Sequence, residues 1–179
     1  MNWKEIYESR KCTAQEAVQG IKSGDRVVFA HCVGEPKELV TAMVDNAANY
    51  KDVTISHMVS LGEGKYTWPE YRENFRWDGW FTGGSTRSCL EQGHGDFVPV
   101  FFHEVPKLIR QGHFPIDVMM VMVSPPDVKV GRRFSKDPNK TMHTVENMKI
   151  PTERAALLRF FTSASSNLDV SNSPILTLF

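Results

Sequence analysis

The sequence lacks a close pair of cysteines, a surplus of charge of either sign and a long hydrophobic run. Its three cysteines, Cys12, Cys32 and Cys89, are an odd number and lie far apart, which favours free thiols in a reducing compartment over a disulfide framework. The 21 basic and 21 acidic residues cancel, so the overall charge does not indicate a nucleic-acid partner. No apolar run approaches the ~18 residues that a membrane helix needs. We therefore expect a cytoplasmic protein with no nucleic-acid or membrane partner.

The composition that remains is that of an ordinary globular domain, with 179 residues of which 41% are hydrophobic and 23% charged. Strand-like and helix-like patterns alternate along the chain. Strands are predicted at Arg26–Ala30, Val53–Val59, Phe75–Phe81 and Ile116–Val123, and helices from the capping box at Thr13 to Ile21 and at Pro36–Asn49, Ser85–Leu90 and Phe101–Arg110. This alternation predicts an α/β fold with a mainly parallel sheet flanked by helices.

The turn Gly34-Glu35-Pro36 stands between the first predicted strand and the following helix. Proline suits the first turn of a helix because its missing N–H would be unpaired there anyway. Open α/β sheets bind anionic or nucleotide-like ligands where such turns leave the carboxyl edge. We therefore predict that Gly34, Glu35 and Pro36 border a ligand site, with helix capping as the alternative role of Glu35.

Two further turns follow predicted strands in the same way. Leu61-Gly62 comes after the second strand, and Gly83-Gly84 comes after the third. Glycines allow close backbone approach, although a plain tight turn has the same sequence. The three turns are predicted to converge at one edge of the sheet, with Glu63 either near the ligand or solvated. Gly62 to Tyr66 does not fit a phosphate loop, because Tyr66 stands where that loop has Ser or Thr.

Histidines and cysteines show no spacing typical of a metal site, and none is predicted. The candidates considered are His31, Cys32, His57, Cys89, His94 and His103. His31 and His57 lie near strand ends, where hydrogen-bonded structural roles are favoured over ligand roles. The aromatic residues Phe75, Trp77, Trp80 and Phe81 are expected in the core or in an interface.

The character of the sequence changes after Asp127. The segment that follows opens with the basic stretch Lys129–Lys140, ends in a run rich in Ser and Asn, and contains one helical pattern, Glu153–Phe161. We expect residues 1–127 to form an N-terminal domain and residues 128–179 to be an irregular, divergent tail that is either frameshifted or disordered.

Several segments together resemble the amino-terminal domain of the acetyl-CoA hydrolase/transferase family, and within it 4-hydroxybutyrate CoA-transferases and butyryl-CoA:acetate CoA-transferases. The resemblance runs nearly collinearly from Trp3 to Asp127. It is carried by the segments Gly24–Phe29, Gly34–Pro36, His57–Lys65, Phe81–Arg87 and Val121–Asp127.

The resemblance implies an enzyme that is a homodimer of subunits built from two similar α/β halves. Such enzymes exchange CoA between an acyl-CoA and a small free carboxylate, so CoA is a substrate and no cofactor is tightly bound. A glutamate of the second half attacks the thioester and stores its energy as a glutamyl-CoA thioester. The resemblance implies that this glutamate and the main CoA-binding loops lie outside the chain, so no catalytic residue is assigned here and the chain alone is expected to be inactive.

Three interpretations of the chain stay open on the sequence. It is a truncated or frameshifted CoA-transferase, one half of a CoA-transferase made of two polypeptides, or a non-catalytic module that binds CoA or a nucleotide.

Overall fold

In a computed structural model of the chain, the residues described are 12–122, 155–159 and 176–178. Seven strands form one sheet: β1 Arg26–Phe29, β2 Val53–Ser56, β3 Phe75–Gly79, β4 Gly95–Phe97, β5 Val118–Met122, β6 Ala155–Arg159 and β7 Leu176–Leu178. The helices are α1 Ala14–Val18, α2 Lys37–Asp45, α3 Arg87–Glu91 and α4 Val105–Arg110, and short 3-10 turns lie at Cys32–Gly34, Ala47–Asn49, Lys65–Thr67, Pro69–Tyr71 and Phe102–Glu104.

The strand order in the sheet is β4-β3-β2-β1-β5-β6-β7. The first five strands are parallel, and β6 and β7 add to the edge of β5 in antiparallel orientation. From β1 the chain builds outward through β2 and β3 to β4, and then returns to place β5 on the other side of β1. The strand order therefore reverses between β1 and β5, which is the position where open α/β sheets form a crevice at their carboxyl ends. The α/β fold with a mainly parallel sheet is confirmed.

The core explains why these segments form these elements. All five residues of β5 are buried, as expected for a strand covered on both faces. Helix α2 buries Leu39, Val40, Met43 and Val44, which helical spacing places on one face. Each such side chain stabilises the fold by about 1.5–3 kcal/mol relative to leaving it exposed. Helix α1 begins with the predicted capping box, in which Thr13 and Glu16 exchange hydrogen bonds.

Two predictions about the elements are wrong, and one strand was not predicted. Ser85 does not cap α3, whose first turn follows Thr86. Strand β4 was missed because its three residues are too few to show a strand pattern. A Cβ at Gly95 would lie 2.6 Å from the Trp77 carbonyl oxygen, so the pairing of β4 with β3 requires glycine at this position. The helix predicted at Glu153–Phe161 is replaced by β6, which pairs with β5 over five residues. The hydrogen-bonding edge of β5 outweighs the helix propensity of that alanine- and leucine-rich segment.

Candidate functional site

The turns after β1, β2 and β3 meet at the carboxyl edge of the sheet. The Cys32 N–H donates to the Val59 carbonyl oxygen at 2.8 Å, which joins the first turn to the second. The Trp80 N–H donates to the His57 carbonyl oxygen at 3.1 Å, which joins the second to the third. The three sequence-predicted turns are thus brought together, whereas their contact with a ligand stays a prediction.

The carboxylate of Glu35 ties the first two turns together. Glu35 is 3% exposed. It accepts hydrogen bonds from the Ser60 hydroxyl at 3.1 Å, the Leu61 N–H at 2.8 Å and the Gly62 N–H at 3.1 Å. Helix α2 has Pro36 as its N-cap and no side-chain cap bond, so Glu35 does not cap its own helix. We call Glu35, Ser60, Leu61 and Gly62 the glutamate clamp.

The glutamate clamp determines which groups at this part of the sheet edge are available to a ligand. The N–H groups of Leu61 and Gly62 already donate to Glu35 and are not open anion-binding donors. A side chain at Gly62 would place its Cβ 2.5 Å from Glu35 Oε1, so any larger residue there would force the carboxylate out of its hydrogen bonds. A ligand here would meet exposed side chains such as Leu61, which is 57% exposed.

The third turn lies beside the second. A Cβ at Gly83 would lie 3.8 Å from the Ser60 carbonyl oxygen, whereas one at Gly84 would meet no atom within 4 Å. The Gly83 N–H donates to the Thr86 hydroxyl at 3.1 Å. The loop after β2 packs closely on this turn, because a Cβ at Gly64 would lie 2.8 Å from the Ser85 carbonyl oxygen. Of the two predicted glycines, Gly84 is therefore the one with open space above it.

A cavity of about 310 Å³ opens between α2 and the loop after β2. Its walls include Glu35, Leu61 and Gly62 from the predicted set, with Val40 and Val44 from α2. The other predicted residues, Gly34, Pro36, Gly83 and Gly84, do not line it. Glu63, which was expected either near a ligand or in solvent, lies on the rim as an exposed partner of Lys65, with 3.0 Å between their charged atoms.

Behind the cleft, His57 lies in the core. It is 1% exposed and its ring stacks on Phe29 with a centroid separation of 4.9 Å. The Trp77 indole N–H donates to Nε2 at 3.1 Å, and the Tyr66 hydroxyl lies 2.8 Å from the same nitrogen. Because an indole can only donate, Nε2 accepts and the neutral imidazole carries its proton on Nδ1.

Burial sets the protonation of this histidine. It lowers the pKa of His57 to about 4, and the nearby Met58 backbone opposes that change only in part. Among the described residues, Nδ1 has no hydrogen-bond partner within normal geometry. Burial likewise raises the pKa of the Tyr66 hydroxyl. His57 is thus the hydrogen-bonded structural histidine that its position indicated, and it does not face the cleft. Phe75 and Trp77 are buried in the main core and Trp80 in a second, smaller cluster, whereas Phe81 is 51% exposed.

Sequence reasoning missed Ser60 and Tyr66. Ser60 directly precedes a predicted turn residue and could have been suspected on that ground. The only signal for Tyr66 was negative, since it broke a phosphate-loop pattern. Within residues 12–122, no group of three or more His, Cys, Asp or Glu side chains is arranged to hold a metal ion. In the same part of the chain, every helix is too short or too polar to cross a bilayer.

Comparison with known proteins identifies the family of this domain. The model of the acetyl-CoA hydrolase/transferase N-terminal domain matches residues 1–137. The chain belongs to this family. The match confirms the resemblance found in the sequence and ends ten residues beyond Asp127, the boundary at which the tail was expected to begin. That boundary stays a prediction.

Members of the family with known activities are similar over most of the chain. The 4-hydroxybutyrate coenzyme A transferase of Clostridium kluyveri is 41% identical over 150 residues, which are 84% of this chain and 35% of that protein. The succinyl-CoA:cyclohexane-1-carboxylate CoA transferase of Geobacter metallireducens is 33% identical over 70% of this chain and 28% of its own length. The chain spans about a third of the length of the curated relatives it matches.

Solved structures agree with the fold. A 4-hydroxybutyrate CoA-transferase from Porphyromonas gingivalis is 34% identical, with a TM-score of 0.54 over 71% of this chain and 28% of that one. RipA from Yersinia pestis superposes with a TM-score of 0.65 over 72% of this chain and 32% of its own, at 24% identity. The latter likeness shows the fold alone.

Proposed function

We propose that the chain is the N-terminal domain of a cytoplasmic CoA-transferase that exchanges CoA between an acyl-CoA and a free carboxylate. The acyl group is 4-hydroxybutyrate or butyrate, and acetyl-CoA or acetate is the other substrate. The observation that supports this best is the 41% identity with the Clostridium kluyveri enzyme over 84% of the chain. CoA is a substrate, no cofactor is tightly bound, and the full-length protein forms a homodimer.

The domain contributes one wall of the cleft rather than the nucleophile. Gly34, Glu35 and Pro36, with Leu61, Gly62, Gly83 and Gly84, border the substrate, and the glutamate clamp fixes the first two of these turns. A carboxylate that accepts three hydrogen bonds has its charge already stabilised and attacks a thioester poorly, so Glu35 positions the wall and does not react. Glu63 is exposed and paired with Lys65. The nucleophilic glutamate of the family lies outside this chain.

A chimera tests the proposal. Residues 1–137 of this chain replace the matching segment of the Clostridium kluyveri enzyme, and transfer of CoA from acetyl-CoA to 4-hydroxybutyrate and to butyrate is followed by chromatography of the CoA esters. We expect activity with at least one acceptor. A chimera that unfolds cooperatively yet transfers CoA to neither acceptor would contradict the proposal.

The chain alone is the matched control and should show no exchange between butyryl-CoA and acetate. Saturable turnover that survives repurification and is lost in Glu35→Gln or Glu63→Gln would place the nucleophile in this domain instead. Activity that appears only with a second, separately expressed subunit would favour the half-enzyme. Saturable CoA binding by the chain, combined with an inactive chimera, would favour the non-catalytic binding module.

A further inference from the structure

The turn after β1 carries a thiol and an imidazole side by side. Cys32 Sγ lies 3.6 Å from His31 Nδ1. The cysteine is half-buried, and the His31 ring packs against Phe102 with 5.5 Å between ring centroids, which restricts the orientation of the imidazole. A nucleophile with a base within hydrogen-bond reach is the arrangement that activates thiols in covalent catalysis.

The backbone holds the thiol in place at a conformational cost. Cys32 has a φ of +53°, in the left-handed region, which costs a residue with a side chain about 1–2 kcal/mol. Its carbonyl oxygen accepts from the Glu35 N–H at 3.2 Å within the turn, and its N–H donates to Val59 in the segment after β2, which fixes the turn against that segment.

The topology of the sheet points to a ligand at this place, independently of the thiol. The strand order reverses between β1 and β5, and the Ala30 N–H donates to the Met120 carbonyl oxygen at 3.0 Å, so the chain leaves β1 at that junction. Ligands of open α/β sheets bind in the crevice outside the carboxyl ends at such a reversal. His31 and Cys32 directly follow Ala30 and therefore lie at this crevice.

The other two cysteines provide internal controls. Cys89 is 1% exposed, and burial raises the pKa of its thiol while Arg76 opposes that rise. Burial, with the nearby charge of Glu16, also raises the pKa of the Cys12 thiol. The thiolate is the reacting species, so both cysteines are poorer nucleophiles at neutral pH than a thiol of ordinary pKa.

We propose that the His31–Cys32 pair is an acylation site that accepts the acyl group of an acyl-CoA thioester. The inference rests on the proposed function, which brings acyl-CoA to this edge. His31 Nδ1 removes the thiol proton, and the Cys32 sulfur attacks the thioester carbonyl carbon and forms a new C–S bond. The bond from that carbon to the CoA sulfur breaks, and the leaving CoA thiolate takes the proton back from the imidazolium. One thioester replaces another, so no oxidant or further reactant is needed.

The test uses the 179-residue chain and butyryl-CoA at neutral pH, read out by intact mass and peptide mapping. We expect one butyryl group per chain, on Cys32, with saturable kinetics and release by hydroxylamine. Cys32→Ser should abolish butyrylation. His31→Gln should slow butyrylation about 100-fold, which is the lower end of the rate acceleration that a general base supplies. His103→Gln, which alters an exposed histidine, is the matched control and should leave the rate unchanged.

A second measurement needs no variant: iodoacetamide should alkylate Cys32 before Cys12 and Cys89 in the folded chain. Equal labelling of the three thiols, or butyrylation at a rate that His31→Gln does not change, would overturn the proposal. Calorimetric CoA binding separates this inference from the proposed function. If the chain and Cys32→Ser both bind CoA but butyryl transfer to Cys32 is absent, the acylation site is refuted and the CoA-transferase proposal stands.

Discussion

Removing the carboxylate of Glu35 should destabilise the domain without touching its hydrophobic core. Glu35→Ala removes the acceptor of the Ser60 hydroxyl and of the Leu61 N–H. The Gly62 N–H loses its bond to Glu35 but keeps the Ser60 hydroxyl oxygen at 3.3 Å. A hydrogen bond to a charged group contributes about 1.5–3 kcal/mol to stability. Ser60 is buried and cannot recover its bond from water, whereas the two N–H groups lie in more open residues and recover part of theirs.

Relief of the buried charge offsets part of the loss. The free energy of unfolding should therefore fall by about 3 kcal/mol. Urea unfolding followed by tryptophan fluorescence measures it, because Trp77 and Trp80 are buried. Glu35→Gln keeps one carbonyl acceptor, so its free energy of unfolding should lie between those of the wild type and Glu35→Ala.

Glu38→Ala is the control on the same helix. Glu38 is exposed in the first turn of α2, so its loss should change the free energy of unfolding by no more than about 0.5 kcal/mol. If Glu35→Ala and Glu38→Ala unfold at the same urea concentration with the same slope, the glutamate clamp does not stabilise the fold and the reasoning fails.

Two further predictions concern the same region. The free energy of unfolding should fall as pH drops from about 6.5 toward about 4, because the unfolded chain binds a proton that buried His57 does not. The loss is about 3 kcal/mol. Urea titrations at several pH values should find no such loss in His57→Gln. If the free energy of unfolding of His57→Gln depends on pH as steeply as that of the wild type, other groups cause the loss. Gly64→Ala should lower the melting temperature, because Gly64 has a φ of +66° and its new Cβ would lie 2.8 Å from the Ser85 carbonyl oxygen. Gly84→Ala, with no atom within 4 Å, should melt like wild type, and equal melting of the two variants would rule out the close packing of these turns.

Local patterns in the sequence predicted much of this fold. The capping box at Thr13 rests on contacts between residues three apart, and the continuous apolar run of β5 is itself a local signal of a buried strand; both are confirmed. The two errors of element type have one cause. Strand β4 exists because β3 offers it a pairing edge, and β6 exists because β5 does. Such edges belong to the tertiary structure and leave no trace in a short segment.

In the candidate site, too, the features set by local sequence were predictable and those set by long-range contacts were not. The positions of the turns after β1, β2 and β3 followed from the alternation of strands and helices. The bond from Ser60 to Glu35 spans 25 residues of sequence, and no local pattern encodes it. The pairing of His31 with Cys32 joins neighbours in sequence, but the left-handed backbone that brings the thiol near the imidazole was not predictable from residue types.

The glutamate clamp also constrains how the family can diverge. A side chain at Gly62 would displace the Glu35 carboxylate, because the added carbon would lie 2.5 Å from Oε1. The buried Ser60 hydroxyl in turn donates to that carboxylate. A relative that replaces Glu35 is expected to tolerate change at both positions, whereas one that keeps it is expected to keep the glycine. We therefore expect positions 35, 60 and 62 to covary among relatives, although positions 35 and 60 lie far apart in sequence.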